Sequence, residues 1–151
     1  MTDEDERTTP LGLFNYAHSY WRSAVALKQA RVKATHPGDP IWFLYFHAME
    51  LYLKSYLRLH GKSVANLRDE YGHRMDRLAK GARSFGFQFD DEDREVLSVI
   101  ASMNPIDVRY IKTGFFRRPT HEALDRTCKS FHHSAAEALM GRGIKIRRYV
   151  S

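Results

Sequence analysis

Three groups of residues in this chain have the types and spacing that could do chemistry. The first lies near the C-terminus. Arg126 is separated by five residues from His132 and by six from His133. An arginine so placed steadies a phosphate, and a histidine moves a proton; together they suit metal-independent RNA cleavage. The competing reading is chance spacing along a helix. The second group is His47, Glu50 and Lys54 in FHAMELYLK. At helical pitch these three and Arg58 fall within about 80° of one another. Glu50 and Lys54 stand in the favourable order for an ion pair across one turn. His73 follows Gly72 at a helix start and, beside Glu50 or His47, would titrate near neutrality. Two readings stay open for this group: a polar pocket facing a ligand, or a buried network that fixes helix pairing. The third group is basic: Arg109, Lys112, Arg117, Arg118 and His121, interleaved with Tyr110, Phe115 and Phe116. It offers phosphate contacts and stacking faces, and Arg118 precedes a helix N-terminus, which itself attracts phosphate. The alternative is a solvated basic loop.

The element that must position the second group is Asp39–Gly61, read as one helix of about six turns. Asp39 suits the N-cap, Pro40 the first helical position and Gly61 the residue past the end. Its residues are apolar almost all round, so the helix is expected at the centre of the molecule with one narrow polar stripe. Thr9-Pro10 opens an amphipathic helix before it, and the turn HPGDP between them predicts an antiparallel pair. Ser63 caps a short helix, His73–Phe85 is another, and Asp90 or Asp91 caps a third that ends at Asn104-Pro105. Residues 106–116 lack helical period and read as extended, a loop or a short strand. Pro119-Thr120 starts a last long helix to about Met140. The tail IKIRRYVS alternates apolar and basic residues, which suits a short strand or an arm on a partner.

These elements predict an all-α, up-and-down bundle of five or six helices built on the long antiparallel pair. Residues 1–8 are expected as a flexible acidic arm, 9–141 as one bundle domain, and 142–151 as a basic tail. The chain has 151 residues, 43% hydrophobic and 28% charged, within the ordinary range for a globular domain. Its net charge of +6 permits an acidic partner such as RNA or a nucleotide. A lone cysteine, Cys128, allows no internal disulfide and fits a reducing cytoplasm. No zinc-ligand cluster is expected, and no apolar run suits a bilayer. Phosphate-binding loops, dinucleotide fingerprints and hydrolase motifs are absent, and no cofactor is expected.

The string FHAMELYLKSYLRLHG (46–61), then YGHRMDRLAKGA (71–82), then VRYIKTG (108–114) resembles the HEPN domain family, the higher eukaryotes and prokaryotes nucleotide-binding domain. Its ordered marks here are Leu53-Lys54, Gly72-His73 and Arg109-Tyr110. The resemblance implies a small all-α domain, often dimeric and associated with nucleotides or RNA. Many members are metal-independent endoribonucleases or toxins that use an arginine and a histidine four to six residues apart. Others are inactive partners of minimal nucleotidyltransferases, or RNA-binding modules. No histidine follows Arg109 at that spacing; Arg126 with His132 or His133 meets it instead. The resemblance therefore implies a nucleotide-, RNA- or partner-binding module of a toxin–antitoxin or defence-type system. The alternatives are a ribonuclease centred on Arg126 and a purely structural dimeric subunit.

Overall fold

The computed structural model describes residues 2–103 and 118–150. Among them are seven α-helices and no strand. Helices α1 (Asp3–Arg7), α2 (Pro10–Ala30) and α3 (Gly38–Leu59) are followed by the short α4 (Val64–Asn66), which widens into a π-turn at Leu67–Tyr71. Helices α5 (Met75–Ser84), α6 (Asp91–Ala101) and α7 (His121–Gly141) complete the order. Side-chain oxygens begin most of them. Thr2, Thr9, Ser63, Asp90 and Thr120 each accept the backbone N–H three residues on, which satisfies a donor that the helix itself cannot.

Helix α3 starts two residues earlier than its sequence suggests, with Pro37 at the N-cap and Gly38 as its first residue. Asp39 lies inside the first turn, and no side chain caps the helix. The carboxylate of Asp39 instead pairs with Arg118. At the other end Gly61, at φ +93°, closes a paired turn: its N–H donates to Arg58 and that of Lys62 to Leu57. Twelve residues of α3 are buried, among them Tyr45, Met49, Tyr52, Leu53 and Leu57. The expectation of a central helix is met because three elements cover it.

Helix α2 runs antiparallel to α3, with Ser55 near the end of α3 donating to the Pro10 carbonyl at 2.7 Å. Helix α7 runs parallel to α3. Tyr45 meets Asp125, and Tyr52 meets His132, seven residues further along each helix. Helices α4 to α6 return the chain so that α7 can run in this direction. Cys128 is fully buried in the α3–α7 seam, its thiol directed to the Tyr45 carbonyl at 3.5 Å. Helix α5 covers α3 from a further side, where the Tyr56 hydroxyl donates to the Phe85 carbonyl at 2.7 Å.

Both termini differ from the sequence reading. Of residues 1–8, expected as an arm, Asp3–Arg7 form α1. Arg58 donates to the carbonyls of Asp5 and Thr8, and Asp5 accepts the Val64 N–H at 2.8 Å, so α1 is fastened to α3 and α4. The tail forms no strand over its described residues, 142–150. It folds back on its own bundle, with Ile144, Ile146 and Val150 against the core. No helix among the described residues is long and apolar enough to cross a membrane.

Candidate functional site

The polar stripe on α3 is organised by one carboxylate. Glu50 is buried, at 2% side-chain exposure. Helical spacing brings His47 Nδ1 and Lys54 Nζ each to 3.5 Å of its Oε2. His73 comes from elsewhere in the chain. Gly72, at φ +56°, ends the π-turn and swings the backbone toward α3. His73 Nδ1 then lies 3.0 Å from Oε1 and 3.1 Å from Oε2 of Glu50. Burial pushes the Glu50 carboxyl upward, but the His47 hydrogen bond, the Lys54 charge and His73 outweigh it and hold it below its ordinary value. A buried carboxylate is tolerated because three nitrogen-bearing side chains converge on it.

The sequence reading left pocket and network open, and the geometry has features of both. Glu50 and Lys54 are sequestered, whereas the His73 side chain keeps 50% of its surface. With Nδ1 donating to Glu50, the Nε2 of His73 has no partner among the described residues. His73 lines a small cavity of about 110 Å3 together with Phe46, Arg74, Met75, Asp76, Ile100 and Met103. Met103 is the last described residue before the segment that carries Arg109, Tyr110, Lys112 and Arg117. Those four candidates lie outside the described residues.

Two members of the basic group are described, and both serve the fold. Arg118 pairs with Asp39 and lies 5.9 Å from the Trp42 ring centroid. His121 Nε2 donates to the Gly38 carbonyl at 3.0 Å. Burial pushes the His121 imidazole below its ordinary range. Together they tie the start of α7 to the start of α3.

Arg126 and His132 are not brought together. Arg126 is half-exposed and paired with Glu92 on α6. His132 is fully buried among Phe14, Trp21 and Tyr52. Its ring nitrogens are both engaged. The Val150 N–H donates to Nε2 at 2.9 Å, so the neutral ring carries its proton on Nδ1 and donates to the Tyr52 oxygen at 2.8 Å. Burial, with His18 and His133 adding to it, pushes His132 down to about 4. His133 Nε2 donates to the Val150 carbonyl at 2.6 Å. The two histidines thus grip the tail from both sides of one peptide residue. In this arrangement neither histidine shares a site with Arg126.

Sequence reasoning missed Asp125. It accepts from Trp21 Nε1 at 2.9 Å and from the Tyr45 hydroxyl at 3.2 Å. Burial, then the charge of Asp125, raises the Tyr45 phenol above its ordinary range. A signal existed: Tyr45 and Tyr52 repeat at seven residues, as do Asp125 and His132, which sets one phenol against one polar partner on two parallel helices. Among the described residues, no three His, Cys, Asp or Glu side chains are grouped to hold a metal ion. No family model, curated protein or solved structure matches the chain.

Proposed function

We propose that this chain is a HEPN-like helical module that binds RNA or a nucleotide without cleaving it. On the same reading it acts in the cytoplasm as a homodimer, paired with a nucleotidyltransferase-type protein in a toxin–antitoxin or defence-type system. One observation carries the binding reading. Lys54 and His73, two of the ordered marks behind the family resemblance, meet on the single carboxylate of Glu50. That carboxylate holds Nδ1 of His73 while the side chain keeps half of its surface, which leaves the ring open to a phosphate or a base edge. A network built only for packing needs no half-exposed member. Binding is favoured over cleavage because His132 is buried with both nitrogens engaged, and Arg126 is committed to Glu92.

The test is fluorescence anisotropy with labelled single-stranded RNA and with a labelled nucleotide, in EDTA, between about 50 and about 200 mM salt. Binding that weakens steeply with salt is expected, with His73→Ala lowering affinity by about tenfold, the value of one lost hydrogen bond to a charged group. Absence of binding at the low-salt end, or affinity indifferent to salt, would sink the reading. RNA cleavage in EDTA that is lost in both Arg126→Ala and His132→Gln would replace it with the ribonuclease.

A further inference from the structure

The tail is the most consistently basic part of the described chain, and its charges are not spent on the fold. Its apolar residues Ile144, Ile146 and Val150 pack inward. Lys145, Arg147 and Arg148 between them are exposed. The tail is held at both ends. The Ile144 N–H donates to Leu139, and Val150 is gripped by His132 and His133. A segment fixed in this way presents its cations in one geometry, with little ordering entropy left to lose on binding.

Between the tail and α2 runs a groove of about 520 Å3. Lys145, Arg147 and Arg148 form one wall, Asn15, His18 and Ser19 the other, and no carboxylate among the described residues lines it. Four other exposed arginines of this protein pair with acids: Arg7 with Asp3, Arg68 with Glu4, Arg74 with Asp76 and Arg94 with Asp91. Lys145, Arg147 and Arg148 have no ion-pair partner among the described residues. Tyr149, 45% exposed, follows Arg148 in the chain, its ring packed on His133. Burial, then Arg22 and Arg148, push the His18 imidazole below its ordinary range.

We infer that this groove binds the phosphate backbone of single-stranded RNA. The inference rests on the RNA-binding reading above and assigns the backbone contacts to a face distinct from the Glu50–His73 cluster. Three cations without ion-pair partners among the described residues, within four positions of the tail, suit contacts to a phosphate backbone. The Asn15 amide adds neutral donors, and the Tyr149 ring is available for a base to stack on. A groove suits a single strand better than a duplex. A lipid surface is disfavoured because Ile144 and Ile146 point into the bundle rather than out toward acyl chains.

The experiment compares the wild type with two tail variants, Lys145→Glu/Arg147→Glu/Arg148→Glu and the milder triple alanine. Lys80→Glu/Arg83→Glu, in a second basic groove beside α5, is the control. Anisotropy is measured with mixed-sequence single-stranded RNA across a salt series. Expected are a loss of affinity of about 100-fold in the charge-reversed tail, a salt slope shallower by about 2, and a control near wild type. Cross-linking of wild-type protein to 4-thiouridine RNA is expected on the peptide containing Tyr149. Wild-type RNA binding that both tail variants retain, with cross-links elsewhere, overturns this site and leaves the RNA-binding reading standing. A wild type that binds no RNA overturns both. Binding to phosphatidylserine vesicles but not to RNA overturns the site in favour of a membrane.

Discussion

Glu50 is a charge taken out of water and kept ionised by what surrounds it. His47 and Lys54 reach it through helical spacing alone, whereas His73 reaches it only because Gly72 turns the backbone. Removing the carboxylate charge would strand Lys54 in a buried place with no counter-ion. Glu50→Gln, which keeps the shape, is therefore expected to cost about 3 kcal/mol, the lower end for breaking a buried pair on one side. Urea unfolding at neutral pH checks this as a lower midpoint at unchanged slope. The pH dependence follows from the direction of the shift. The folded carboxyl sits below its ordinary value, so its contribution is complete above that ordinary value and disappears as pH falls through the lowered one.

At the scale of elements, the helix ends carry the most local information. Gly61 adopts φ +93°, and a Cβ there would meet nothing within 4 Å. The cost of Gly61→Ala is then purely a matter of backbone conformation, about 1 kcal/mol. Gly141, in helical conformation at the end of α7 with equally open surroundings, should respond oppositely, gaining a few tenths of a kcal/mol as alanine. Thermal melts of the two variants moving in opposite directions would confirm the contrast. Caps, breakers and the polar stripe were legible in the sequence because each depends on residues within one or two turns. The docking of α1 was not, because it depends on Arg58 and the Val64 N–H, both distant in the chain. The fate of His132 was not legible either. Its spacing from Arg126 says nothing about which face of α7 meets α3, and that face is set by Tyr52, Phe14 and the returning tail. Alternation in IKIRRYVS was visible, but whether its apolar residues meet a partner or their own bundle depends on tertiary packing.

For the molecule as a whole, buried imidazoles set the acid limit. His132 has a folded value of about 4, while the unfolded chain takes up that proton near 6.5. Between those values the unfolded state binds the extra proton, so stability is complete above about 6.5 and declines as pH falls toward 4, by on the order of 3 kcal/mol from this residue. His18, His60 and His121 are pushed down by burial too and share the sign. Protonating His132 also sets an Nε2–H against the Val150 N–H, so the tail should loosen in the same window. Urea midpoints at several pH values check the slope, and His132→Gln should flatten it. A slope unchanged in that variant would assign acid sensitivity to the other histidines.

The lone thiol in the α3–α7 seam makes the molecule its own clock. Cys128 is wholly enclosed, and burial pushes its thiol well above the ordinary range, so the folded chain offers neither access nor thiolate to an alkylating reagent. Modification must wait for the two helices to part. Its rate therefore records how often the core opens, residue by residue variant, without a chromophore or an added label. A variant that loses ligand while Cys128 reacts no faster has lost a contact; one in which both change has lost the bundle.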